Sequence, residues 1–231
     1  MRQITTALTA LGLVIAASAP AYADKYSVKA QATAGQQARM DRGVRAVQSA
    51  QESSLIRFMA SNEPFEEESA FQVLVVNGGD EPFDFGTEHL SATLADGTPI
   101  RILSYEEVAK KEKKGGGFWK TLSGLVGSGI NAAAASYSSE FATFAKAKKA
   151  GDSLLGQSGA ERPERTVNLT ELLSTTTVDP GDSFGGTVIF ELPKKAQKAV
   201  NKNKKKPTEM LVKVSAGREE HVFTVLVERA K

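Results

Sequence analysis

Two histidines, His89 and His221, and no cysteine are all that this 231-residue chain offers for thiolate or soft-metal chemistry. A zinc site needs three or four ligands, so carboxylates would have to supply the rest, and no His-x-x-x-His or similar spacing is present. Neither a metal nor a cofactor is expected, and both histidines are expected at the surface or at a strand edge. The acidic run from Glu63 to Glu68 lacks the alternating Asp-x-Asp-x-Asp-Gly pattern of a calcium loop and reads as a solvated loop. The clearest patch of one sign is basic: Lys194, Lys195, Lys198, Lys202, Lys204, Lys205 and Lys206 lie between Pro193 and Pro207 with no acid among them. As a lysine-rich loop it could meet acidic lipid headgroups, lipopolysaccharide, a polyanionic glycan or an acidic partner. Near an anionic membrane each lysine is worth about 1 kcal/mol. The loop contains no arginine and no interleaved aromatic residue, so nucleic acid is not the expected partner.

Nucleophilic catalysis has one candidate. Gly151-Asp152-Ser153-Leu154 spells the four-letter signature of a serine hydrolase family, in which the serine follows an apolar strand near the mature N-terminus. An Asp-x-x-His element near the C-terminus supplies the base in that family. Here the serine follows a lysine-rich helix end, and His221 has Arg218 three residues before it. A serine hydroxyl without a placed base is a poor nucleophile, so no catalytic residue and no enzyme activity is expected.

The elements that must position these residues divide into three blocks. Residues 24–53 are polar, rich in Ala and Gln, and carry only a faint helical stripe, which predicts a loose or weakly helical leader. From Ser54 the pattern is β. Leu55 to Ala60 and Phe71 to Val76 read as strands, the second apolar on both faces. Asn77-Gly78-Gly79-Asp80 is a turn, and Asp96-Gly97 predicts a hairpin joining Leu90–Leu94 to Ile100–Leu103.

Residues 104–151 are expected to form a helical insertion. Ser104-Tyr105-Glu106-Glu107 fits a capping box, and the helix it opens is expected to stop at Gly115-Gly116-Gly117. Phe118, Leu122, Leu125, Val126, Ile130, Ala133, Tyr137, Phe141 and Phe144 then recur at helical spacing. Gly124, Gly127 and Gly129 weaken that helix by about 1 kcal/mol each, which predicts a close packing partner. Phe118-Trp119-Lys120 resembles an interfacial anchor, but seven polar residues between Ser123 and Glu140 make the run too polar for a span. Gly156 to about Glu164 reads as a loop, and from Thr166 the β texture returns. Val188, Phe190 and Leu192 share one face, as do Met210, Val212 and Val214, and then Phe223, Val225 and Val227.

The N-terminus supplies an address. Arg2 and an apolar run from Ala7 to Ala19 precede Pro20 and Ala21-Tyr22-Ala23, the pattern of a cleavable secretory signal over residues 1–23. That run is too short to span a bilayer. Its removal would leave 208 residues carrying 28 basic and 27 acidic side chains. So neutral a balance argues against a coat for nucleic acid or for a uniformly anionic surface. Without cysteines the mature fold must be held by burial alone, even in an oxidising compartment.

The stretch from Thr177 through Asp179-Pro180-Gly181 to Gly186-Thr187-Val188-Ile189-Phe190-Glu191-Leu192-Pro193 resembles a recurrent element of secreted bacterial immunoglobulin-like domains of unknown function. There, a Pro-Gly turn leads into a Gly-x-x-x-Phe-Glu-x-Pro strand. Val75-Val76-Asn77 and Asp96-Gly97 are similar to the first half of those domains. The resemblance implies an envelope location and an immunoglobulin-like antiparallel β-sandwich, occupying residues 54–231 and interrupted by the helical insertion; it implies no activity. The expected protein is a non-enzymatic exported envelope module that pairs with another envelope protein or with itself. Its contacts would run through the inserted helix (Phe118, Trp119, Leu122) and the lysine-rich loop. The alternative is a peripheral membrane protein that sets Phe118, Trp119 and the lysines on anionic lipid. The periplasm is the expected location, with an extracellular or membrane-peripheral one as the alternatives.

Overall fold

The computed structural model describes residues 25–41, 44–61, 64–113, 172–202 and 206–230. These residues are mainly β. The first five strands are β1 (Tyr26–Gln31), β2 (Gln36–Asp41), β3 (Val44–Ala50), β4 (Ser54–Ala60) and β5 (Glu68–Asn77). β6 (Phe83–Phe85), β7 (Leu90–Leu94), β8 (Pro99–Leu103) and helix α1 (Tyr105–Lys113) follow. After residue 171 come β9 (Thr176–Val178), β10 (Ser183–Glu191), helix α2 (Lys194–Lys202), β11 (Thr208–Ala216) and β12 (Glu219–Arg229).

Ten of the strands form one antiparallel sheet in the order β1-β12-β11-β7-β8-β10-β5-β4-β3-β2, and β6 pairs with β9 in a small second sheet. β8 turns the corner: Pro99 and Ile100 lie opposite Thr93 and Ala92 of β7, whereas Arg101–Leu103 lie opposite Glu191–Ile189 of β10. The sheet's two ends, β1 and β2, are consecutive in the chain and joined by a turn in which Gly35 has φ +82°. The sheet therefore curls almost into a closed barrel.

One apolar core fills the inside. Val28 and Ala30 of β1, Ile56 and Phe58 of β4, Phe71, Val73 and Val75 of β5 and Val188 and Phe190 of β10 meet Met210, Val212 and Val214 of β11 there, with Phe223, Val225 and Val227 of β12. A chain of ring contacts runs through it: Tyr26 to Phe65 (5.9 Å), Phe65 to Phe190 (5.6 Å), Phe190 to Phe71 (5.7 Å), Phe71 to Phe58 (4.9 Å) and Phe58 to Phe223 (5.1 Å). β4 and nearly all of β5 are buried on both faces.

Residues 26–50 overturn the expectation of a weakly helical leader, because three strands of the main sheet lie there. The domain therefore reaches back to Tyr26 rather than starting at Ser54. In β1 the buried Tyr26, Val28 and Ala30 alternate with Ser27, Lys29 and Gln31, a period of two that Ala and Gln disguise. What fixes the strand is its partner: Tyr26–Gln31 lie opposite Arg229–Thr224. Tertiary pairing overrides the weak local preference.

The expected hairpin is present, with Gly97 at φ +79° in its turn. The cap of α1 is also as expected. The Ser104 Oγ accepts from the Glu107 N–H at 3.3 Å, and Glu107 accepts from the Ser104 N–H at 3.0 Å. The remainder of the expected insertion, including the stripe from Phe118 to Phe144, lies outside the described residues, as does the expected signal segment 1–23.

Candidate functional site

The lysine-rich segment is not a loop over its first part: Lys194–Lys202 is helix α2. The Gln197 N–H donates to the Pro193 carbonyl at 2.9 Å, so proline stands where a helix tolerates a missing donor. Ala196 and Val200 are buried, and Ala199 packs beside them against the core. Two side chains fasten the helix. Gln197 donates to the Leu192 carbonyl at 2.8 Å, and the Asn201 amide donates to the Tyr26 hydroxyl at 3.0 Å. With that face spent on the barrel, Lys194, Lys195, Lys198 and Lys202 all point outward and are exposed, as is Lys206. Lys194, Lys198 and Lys202 follow one another at four-residue steps, about 6 Å apart along the axis. None of these lysines joins an ion pair among the described residues. Lys204 and Lys205 lie outside the described residues, as do Phe118, Trp119 and Leu122.

Beside the start of α2 is an open groove of about 480 Å³ with an apolar floor of Pro99, Ile100 and Pro193 and with Arg101 and Lys195 on its rim. Arg101 is already engaged by Glu107 at 2.5 Å and Glu191 at 3.1 Å, which leaves Lys195 as the available cation. The nearby Asp96 carboxyl is held below its ordinary value chiefly by the Thr98 backbone N–H, then by the Thr98 hydroxyl, with a smaller pull from Lys195. Asp96 is committed to its own turn and does not neutralise the helix.

The histidines differ from expectation in one case. His89 is partly exposed beside β7, where its Nδ1 accepts the Gly86 N–H at 3.2 Å. His221, expected at a surface or edge, is completely buried inside the barrel. Its Nε2 lies 2.8 Å from the Ser54 Oγ and its Nδ1 lies 2.9 Å from the Ser49 Oγ. Ser54 also touches the Glu219 carboxylate, which accepts the Ser53 N–H at 2.8 Å. Sequence parity carried the signal, since His221 has the same inward phase as Phe223, Val225 and Val227. Serine, imidazole and carboxylate meet here without the order that catalysis needs. Glu219 bonds the serine rather than the far side of the ring, and Ser49 and Ser54 are both buried. Ser153 lies outside the described residues.

Among the described residues, no group of His, Asp and Glu is placed to hold a metal ion, and no helix is long and apolar enough to cross a membrane. Glu66 and Glu67 of the acidic run are exposed, while Phe65 between them and Pro64 is buried against Tyr26 and Phe190. Comparisons with protein-family models, with curated proteins and with solved structures find no match.

Proposed function

We propose that this chain is a non-enzymatic exported envelope protein in which an immunoglobulin-like β-sandwich serves as the scaffold for an interaction surface. That surface is the lysine face of α2. The supporting observation is the division of labour on this short helix: Ala196 and Val200 are consumed by the barrel, while four lysines are held outward without carboxylate partners among the described residues. A fixed row of cations suits an acidic protein surface, because the helix has paid its ordering entropy before contact. Phe118, Trp119 and Leu122 belong to the same reading as a second contact.

The peripheral-membrane alternative has one favouring observation. The α2 lysines form an exposed plane with no apolar side chain among them, which suits resting on anionic headgroups but not insertion.

The test compares residues 24–231 with a variant carrying Lys194→Ser, Lys195→Ser, Lys198→Ser and Lys202→Ser. Crosslinking to envelope proteins that is lost in the variant supports the interaction module. Salt-sensitive co-sedimentation with phosphatidylglycerol vesicles, lost in the variant, supports the membrane alternative. The absence of any partner, self-association or vesicle binding would count against both.

A further inference from the structure

The buried cluster around His221 has a direction, fixed by counting protons. Glu219 accepts the Ser53 N–H and touches Ser54 through its other oxygen. An ionised carboxylate has no proton to give, so the Ser54 O–H donates to it. The Ser54 oxygen, its own proton committed, must then accept from His221, which places the ring proton on Nε2. Nδ1 is left as an acceptor and takes the Ser49 O–H at 2.9 Å. The chain therefore runs Ser49 O–H to His221 Nδ1, His221 Nε2–H to Ser54, and Ser54 O–H to Glu219. It ties β12 to β3 and β4 across the inside of the barrel.

We propose that His221 is an acid-released clasp between β12 and the β3–β4 pair. A second ring proton arrives at Nδ1, where the Ser49 O–H already points. Ser49 must then reverse its hydroxyl, and a cation must sit in the core with one carboxylate, Glu219, reached through Ser54. β11 places Val214 opposite, and the nearby Gln36 and Gln51 amides are neutral and bound to the Val222 and Glu220 carbonyls. Lys213 and Glu220 pair with each other at 3.0 Å on the exposed side.

Two shifts agree with this geometry. Burial pushes the His221 pKa down, only partly opposed by Glu219. At Glu219 burial works against the charge, and the bonds from Ser54 and Ser53 outweigh it, leaving that carboxyl below its ordinary value. For a histidine whose folded pKa lies below its unfolded one, the fold is favoured by the neutral form. The contribution is complete above the ordinary histidine range, about pH 6.5, and is lost as pH falls from there toward the folded value.

The test uses residues 24–231 with His89→Gln, so that His221 is the one histidine. Nitrogen NMR at pH 7.5 is expected to show the Nε2–H tautomer, and on acidification the ring is expected to stay neutral below about pH 6.5. The unfolding equilibrium, followed by urea titration, should shift toward unfolding by up to about tenfold per pH unit below 6.5. Adding His221→Gln should abolish that slope between pH 6.5 and 5.5. An Nδ1–H tautomer, titration at the ordinary histidine value, or an equal slope in the glutamine variant would each overturn the proposal. If the glutamine variant does not fold, the tautomer and titration of the parent protein decide.

Discussion

The seating of α2 can be tested separately from its charge. Val200 is 3% exposed and sits on the helix face turned to the barrel. Val200→Ala deletes two methyl groups, about 0.8 kcal/mol each, or roughly 1.6 kcal/mol in all. A helix of nine residues is shorter than the 12 to 15 that an isolated helix needs in water, so docking is what keeps α2 helical. The loss should therefore appear as local opening. Amide exchange at residues 198–202 is expected to accelerate about fifteenfold at 25 °C, while the amides of β11 and β12 keep their protection. Hydrogen exchange resolved by NMR or mass spectrometry reads both regions in one sample. Unchanged exchange in α2 would show that the lysine face does not depend on this contact. Equal acceleration across β12 would show that Val200 belongs to the global core and that α2 does not open by itself.

Other substitutions probe the barrel. Phe58→Ala should cost about 3–5 kcal/mol in urea unfolding, because its ring is fully buried, stacks on Phe223 and meets Phe71 at a tilt; Phe58→Leu should cost clearly less. Gly217→Ala should lower Tm more than Gly97→Ala. Both glycines have positive φ, a strain of roughly 1–2 kcal/mol for alanine, but a methyl group at Gly217 would also come within 3.3 Å of the Phe83 ring while Gly97 faces open space. Ser104→Ala should destabilise α1 by about 0.5–2 kcal/mol, read as faster amide exchange at residues 106–108.

Much of the fold was legible where side chains speak for themselves. The β-branched and aromatic residues of β5, β10, β11 and β12 alternate or run continuously as strands should, and Asp96-Gly97 and Ser104-x-x-Glu107 announced their turn and cap. β1 to β3 were hidden because alanine and glutamine carry little strand preference, and their partners lie far away in the chain. α2 was hidden because seven lysines and two prolines drew the eye from Ala196 and Val200, four residues apart on one face. The His221 cluster was missed for a different reason. The ring's inward phase was readable, but Ser49 and Ser54 lie in a stretch far from Glu219 and His221, and only the curled sheet brings the two stretches together. The proposed contact face was half legible: composition gave its sign, and only the helix gave its spacing.

The pairing of β1 with β12 joins Tyr26 to Arg229, nearly the whole described length of the chain apart. A strand whose hydrogen-bonding partner is made some two hundred residues later cannot be stored in its final place as it is made. Until residues 219–229 are available, β1 lacks its ladder partner and the ring chain that begins at Tyr26 lacks its last member, Phe223. Closing so large a loop is slow, since its entropy is lost before any contact repays it. β1 and β12 therefore act as a seam: the described sheet is complete only once residues 219–229 are available, and a chain truncated before residue 219 loses both the seam and one wall of the core.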